Sequence, residues 1–175
     1  MSKVITFSRV FPAYHPKKGQ PTHFVEKLWK SLGILEYEWD LVKVLQVSNA
    51  LNVKMPYSEF EPKHHTIRAG NRWKVGDKFS PRVWSGKPYN SKQIIIAPDI
   101  EIKKIWDVKV EKEVYYNENS GVNVITKISI NGAHKTANYE PLAKNDGLSL
   151  DDLCYWFAKP MIGQIICWSK NVNYD

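Results

Sequence analysis

The sequence predicts an α+β protein in which helices flank a small, strongly curved, mostly antiparallel β-barrel. Three observations carry that expectation. Ile100, Ile102, Trp106, Val108 and Val110 fall on alternate positions with charged residues mostly between them, and Val122, Val124, Ile128 and Ile130 repeat the pattern. A period of two turns one face of a strand toward a core and the other toward water. A helical pattern precedes these runs (Phe24, Val25, Leu28, Trp29, Leu32) and another follows them (Leu150, Leu153, Cys154, Phe157).

In chain order, Val4 to Ser8 reads as a short strand, ended by Pro12 and the turn from Pro16 to Gly19. Thr22 is placed to cap the first helix and Gly33 to stop it. The segment from about Ile34 to Val53 reads as helix in preference to strand, although its β-branched residues permit either. Gln93 to Ala97 is a strand of the fully buried type. Asn117 to Gly121 joins the two alternating runs into a hairpin, and Asn131-Gly132 signals a type I′ turn with one more short strand returning from it. Ser149, with Asp151 and Asp152 behind it, caps the last helix. Pro160 and Gly163 are read as its stop, and Gln164 to Trp168 as a closing strand. With 175 residues and no repeats or linker, residues 1–175 are expected to form a single domain.

Composition excludes several classes. A hydrophobic content of 43% with 13% aromatics is incompatible with a disordered chain. No apolar run approaches the ~20 residues that span a bilayer, and the N-terminus lacks a signal peptide's apolar segment. Cys154 and Cys167 form no CxxC pair, so a cytoplasmic protein with reduced thiols and no membrane partner is expected. His64 and His65 are neighbours whose side chains diverge, and no Cys/His/Asp set has ligand spacing; neither a metal nor another cofactor is expected. Oligomeric state is not legible.

Charge is concentrated in one place. Between Lys63 and Lys92 lie eight basic residues (Lys63, Arg68, Arg72, Lys74, Lys78, Arg82, Lys87, Lys92) and one acid, Asp77, which together equal the whole net charge of +7. Trp73, Trp84 and Tyr89 are interleaved with them. Cations neutralise phosphates and flat rings stack on bases, so the mixture suits RNA or a nucleotide. Arg68 and Arg72 are candidate phosphate clamps, Trp73, Trp84 and Tyr89 candidate stacking platforms, and Lys74, Lys78 and Arg82 further contacts. The alternatives are a solvated basic face with its tryptophans in the core, an internal ion pair of Arg68 with Asp77 or Asp146, and a protein-interaction module presenting Trp84 and Tyr89.

Two segments carry a family likeness. Lys63-His64-His65-Thr66-Ile67-Arg68 followed by Gly76-Asp77, and Leu142 to Gly147 followed by Leu148-Ser149-Leu150-Asp151 and a helix ending Trp156-Phe157, resemble the ASCH domain family of the PUA-like superfamily. The resemblance covers roughly Leu28 to Phe157 and implies a small β-barrel flanked by helices, with atypical extra length at 34–62 and 80–92. It also implies binding of RNA or a modified nucleoside. Family members with the Lys-x-x-Thr motif hydrolyse the amide of N4-acetylcytidine, and ribonuclease activity is associated with the family. Carried over residue by residue, Thr66 becomes a nucleophile, Lys63 its base and Asp146 the acid for the departing amine. Asp146 stands where some catalytic members have glutamate, so its reach is one methylene shorter. A desolvated lysine suits such a role, because burial lowers its pKa toward neutrality. The bland reading is that Lys63 meets a phosphate, Thr66 caps a turn and Asp146 turns the chain. Convergence of Lys63, Thr66 and Asp146 on one cleft is what separates the two.

Overall fold

The computed structural model describes residues 3–34, 41–53, 59–117, 119, 121–134 and 139–175. Its elements run β1 (Lys3–Thr6), α1 (Phe24–Leu32), α2 (Leu41–Leu51), β2 (His65–Ala69), β3 (Lys78–Trp84), β4 (Gln93–Ile95), β5 (Ile100–Glu101), β6 (Lys104–Asn117), β7 (Gly121–Ile130), β8 (Ala133–His134), α3 (Glu140–Asn145), α4 (Leu150–Trp156) and β9 (Met161–Cys167). The class is α+β.

The expected PUA-like barrel is overturned: among the described residues the strands form two open sheets and no closed barrel. The first has the order β1-β3-β4, with β5 also on β3; β1 lies parallel to β3, Lys3 beside Phe79 and Thr6 beside Arg82. The second has the order β2-β9-β6-β7-β8 and is antiparallel throughout. Alternation along a strand tells which face is buried, but not which edges meet. Here one edge strand, β2, pairs only with β9, and the opposite edge, β8, is two residues long.

The alternating runs form the long β6–β7 hairpin, with Val108 opposite Ile130 and Val110 opposite Ile128, all four buried. Asn131 (φ 50) and Gly132 (φ 78) make the turn into β8, both with the positive φ that a type I′ turn requires. Gly163 does not stop a helix. It lies inside β9, opposite Ala69 and Val108. A Cβ there would stand 2.0 Å from the Arg68 carbonyl oxygen, so only glycine lets β2 and β9 approach this closely.

Helix α1 buries the expected face, with Leu28 and Trp29 wholly enclosed; each such side chain contributes roughly 1.5–3 kcal/mol. Thr22 stands one residue ahead of the N-cap position, and its hydroxyl accepts from the Phe24 N–H at 3.4 Å. The Thr22 hydroxyl donates to the Ser8 carbonyl at 2.7 Å, and His23, left-handed at φ 56, precedes the helix with no side-chain capping bond. Gly33, also left-handed, ends it. Helix α3 was not expected from the sequence; Pro141 sits in its first turn, where the missing N–H is no loss. Ser149 caps α4 by accepting from the Asp152 N–H at 3.1 Å. Trp168 meets Phe7 and Phe79, tying the end of β9 to the first sheet. Of the extra length expected at 34–62, residues 35–40 and 54–58 lie outside the described ones, and the rest contains α2. No helix among the described residues is long and apolar enough to cross a membrane.

Candidate functional site

The site grows from a short crossing of three chain segments. The Lys63 N–H donates to the Lys27 carbonyl of α1 at 3.0 Å, and the His64 N–H to the Asn145 carbonyl at the end of α3 at 2.7 Å. The Trp168 N–H, just past β9, donates to the His64 carbonyl at 3.2 Å. Asp146 follows α3 directly, its N–H bonded to the Leu142 carbonyl. Gly147 then turns with φ +75, and a Cβ on it would lie 3.3 Å from the Lys63 Cβ and 3.2 Å from the Lys27 Cδ. The Gly147 carbonyl accepts from Lys27 Nζ at 2.6 Å. This packing sets Asp146 against Lys63.

Both are buried, Lys63 at 1% exposure and Asp146 at 5%. Lys63 Nζ donates to Asp146 Oδ1 at 2.9 Å and to the Asp146 backbone carbonyl, and lies 4.3 Å from the centre of the Phe24 ring. His65, on β2 and wholly enclosed, places Nδ1 3.3 Å from the same Oδ1, off the hydrogen-bond direction. Its Nε2 lies 2.8 Å from the Tyr174 hydroxyl. Burial pushes the Lys63 ammonium down to about 8, against the opposing pull of Asp146. Burial alone would raise the Asp146 carboxyl; Lys63 and His65 outweigh it and hold the group below the ordinary carboxylate range. His65 is likewise lowered, burial outweighing the Asp146 carboxylate.

A cavity of about 220 Å³ opens above this pair. Lys63, Thr66, Arg68 and Asp146 give it polar lining, while Phe24, Trp84, Tyr89 and Trp156 are among its aromatic walls. Lys63 lies just ahead of β2 and Thr66 within it, so the chain geometry is extended and not a helical turn. Arg68 donates from Nη2 to the Thr6 carbonyl at 2.6 Å, with its guanidinium carbon 5.7 Å from the Phe7 ring centre. It does not pair with Asp77, which bonds Lys3 at 2.6 Å. Arg68 Nε is enclosed and has no hydrogen-bond partner among the described residues, a condition that costs about 1–3 kcal/mol. Trp84 and Tyr89 stand 5.3 Å apart, Tyr89 88% exposed with a left-handed backbone at φ 66.

The rest of the basic stretch goes elsewhere. Trp73 is core at 3% exposure; Gln164 bonds its backbone, and Lys3 and Arg72 each sit 5.2 Å from its ring centre. It offers no open ring face, which overturns its candidacy as a stacking platform. Arg72 and Lys74 lie exposed between β2 and β3, and Lys78 begins β3. At ~3.3 Å per residue, Lys78 stands about 20 Å along β3 from Trp84. Arg82 is half-buried and spends its donors on Ser80 and Gln93. The sequence reading missed His65 as a neighbour of Asp146, Tyr174 as the partner of His65, and Phe24 and Trp156 as cavity walls. Phe24 and Trp156 were legible only as helix residues, and nothing near Tyr174 marks it.

Among the described residues, no group of three or more His, Cys, Asp or Glu side chains is placed to hold a metal ion, and both cysteines are free thiols. The fold and the cavity define an α+β protein with an aromatic-walled, net-cationic pocket over a buried Lys–Asp pair. No family model matches the chain, and no curated protein and no solved structure matches it.

Proposed function

We propose that the cavity binds a single base of RNA or a modified nucleoside, edged by Trp84 and Tyr89 and met on its polar side by Arg68 and Lys63. The observation that supports this most is that Arg68, with its unpartnered buried Nε, lines the same small cavity as the aromatic pair. A volume of 220 Å³ is below the roughly 300–1,000 Å³ of drug-sized sites, which favours one base over a helix. Stacking on a ring contributes about 1–3 kcal/mol per base. The ASCH resemblance of the Lys63–Arg68 and Leu142–Gly147 segments points the same way. Calorimetric titration with nucleosides and short single-stranded RNA tests the reading. Micromolar or tighter binding that drops about tenfold in Trp84→Ala is expected, weakening with salt for the RNA; binding indifferent to Trp84→Ala rejects it.

A second reading, amide hydrolysis on an N4-acylated cytidine, is favoured by one specific feature: a buried lysine with its pKa near 8 lines the cavity together with Thr66. Neutral Lys63 takes the hydroxyl proton as Thr66 Oγ attacks the acyl carbon, and Arg68 faces the developing oxyanion. Cleavage of the C–N bond returns that proton to the exocyclic amine, and water then splits the Thr66 ester. Asp146 holds Lys63 in this scheme and does not supply the proton, because Lys63 and His65 keep it ionised. Release of cytidine from N4-acetylcytidine, with a rate rising through pH 8 and lost in Thr66→Ala, is the expected result. No turnover on a panel of acylated cytidines removes the hydrolytic reading and leaves the binding one.

A further inference from the structure

His65, wholly enclosed, and Tyr174, half-buried, are titratable groups with no part in the scheme above, yet His65 stands beside its centre and Tyr174 behind His65. Tyr174 lies beyond β9, where its ring packs on Trp106 at 5.0 Å and on His65 at 5.6 Å. The phenol has one proton to give. Asn145 Nδ2 donates to its oxygen at 3.0 Å, which leaves His65 Nε2 at 2.8 Å and the Pro141 carbonyl at 3.5 Å as acceptors. The shorter contact takes the proton. Burial raises the phenol well above its ordinary pKa, so the proton is present at every ordinary pH. An Nε2 that accepts leaves Nδ1 as the protonated nitrogen. That end of the ring meets Asp146 Oδ1 at 3.3 Å, and the Leu142 carbonyl also faces the ring.

We propose that Tyr174, acting through His65, is a positioning residue for the Lys63–Asp146 pair: it fixes His65 as the Nδ1–H tautomer, so that a protonated nitrogen, and not a lone pair, stands 3.3 Å from the Asp146 carboxylate that Lys63 holds. This rests on the reading of that pair as part of the functional site, but its test needs no ligand. The charged and titratable groups around the pair are few. Lys63 is faced by Asp146, Arg68 and Lys27; His65 by Asp146, Lys63, Tyr174 and its neighbour His64; and Tyr174 by Asn145, Asp146 and Cys167. Removing the phenol oxygen leaves Nε2 without a donor, so the ring proton moves to Nε2 and a lone pair turns toward Oδ1. Asp146, deprived of that N–H, holds the Lys63 proton more firmly.

Two NMR measurements decide it. Long-range ¹H–¹⁵N spectra of the intact protein are expected to show His65 protonated on Nδ1 and not on Nε2. Titration of the Lys63 ε-carbon is expected to move upward by about half a pH unit or more in Tyr174→Phe. In a His65→Asn background, where the amide nitrogen stands in for Nδ1–H, the same Tyr174→Phe change is expected to leave Lys63 unmoved. An Nε2–H tautomer in the unaltered protein overturns the proposal, as does an unchanged Lys63 titration in folded Tyr174→Phe. If Tyr174→Phe does not fold, the tautomer decides alone. Failure of every nucleoside to bind would reject the proposed function and leave these readouts intact.

Discussion

Arg68 and Lys74 stand six residues apart in one basic stretch, and the structure puts them to opposite uses. Arg68 has an enclosed Nε without a partner, a bond to the Thr6 carbonyl and a place in the cavity wall. Lys74 is exposed, and its backbone N–H is bonded to Asp77 at 2.9 Å. Charge density along the sequence is identical for both. What separates them is depth: a cation held from water beside aromatic rings selects a ligand's geometry, whereas an exposed one attracts polyanions without discrimination.

The sharpest way to break this contrast is to remove the buried cation at the cavity's base. Lys63→Ala leaves Asp146 enclosed beside a neutral His65 and is expected to cost about 3–5 kcal/mol, read as a lower urea midpoint, while Lys74→Ala leaves the midpoint unchanged. Next is the strand that carries Arg68. Gly163→Ala forces a methyl group onto the Arg68 carbonyl and is expected to cost about 3 kcal/mol; a midpoint equal to the unaltered protein's would show that β2 shifts freely. For binding, Arg68→Ala and Trp84→Ala are each expected to weaken a nucleoside about tenfold or more. Reversing Arg72, Lys74 and Lys78 together should leave nucleoside affinity intact and only flatten the salt dependence for longer RNA. The reverse ranking would move the site to the β2–β3 turn.

A further test is pH. Asp146 and His65 both have lowered pKa values in the fold, so the unfolded chain binds more protons below their ordinary values. Their contribution is present above about pH 6.5 and is lost as pH falls through first the His65 and then the Asp146 value. Lys63, near 8 in the fold against 10.5 free, gives the same sign in a different window, stability rising from pH 8 toward 10. Chemical denaturation of Lys63→Met across that upper window should show the slope removed.

Much of this was legible residue by residue. Val108 and Val110 announced a half-buried strand, Asn131-Gly132 its turn, and Ser149 a capped helix, because each is a local rule about backbone or burial. Lys63, Thr66 and Asp146 were marked by motif, and they do line one cavity. What failed is what depends on distant pairing. β1 lies beside β3 in parallel, so the choice between two open sheets and a barrel rests on contacts over seventy residues apart. Gly163 reads as a stop until the Arg68 carbonyl is placed beside it. Trp73 reads as a stacking ring until Gln164 and the core close around it. His65 was weighed for metal only, since its true partner, Tyr174, is 109 positions away.

The cavity's walls come from Thr6 to Ser8, Phe24, Lys63 to Arg68, Trp84 to Tyr89 and Asp146 to Phe157, five places nearly spanning the chain. β1 has no neighbour in its sheet until β3 exists, and β2 none until β9 has been made. Loops of this length close slowly, because their entropy is lost before any contact rewards it. On a ribosome β1 therefore waits for Lys78–Trp84, nearly half the chain, and β2 for Met161–Cys167, almost all of it. The cavity is among the last features to be completed during folding, and a chain cut just before β9 would keep the helices and the β6–β7 hairpin but leave β2, which carries Thr66 and Arg68, without its strand partner.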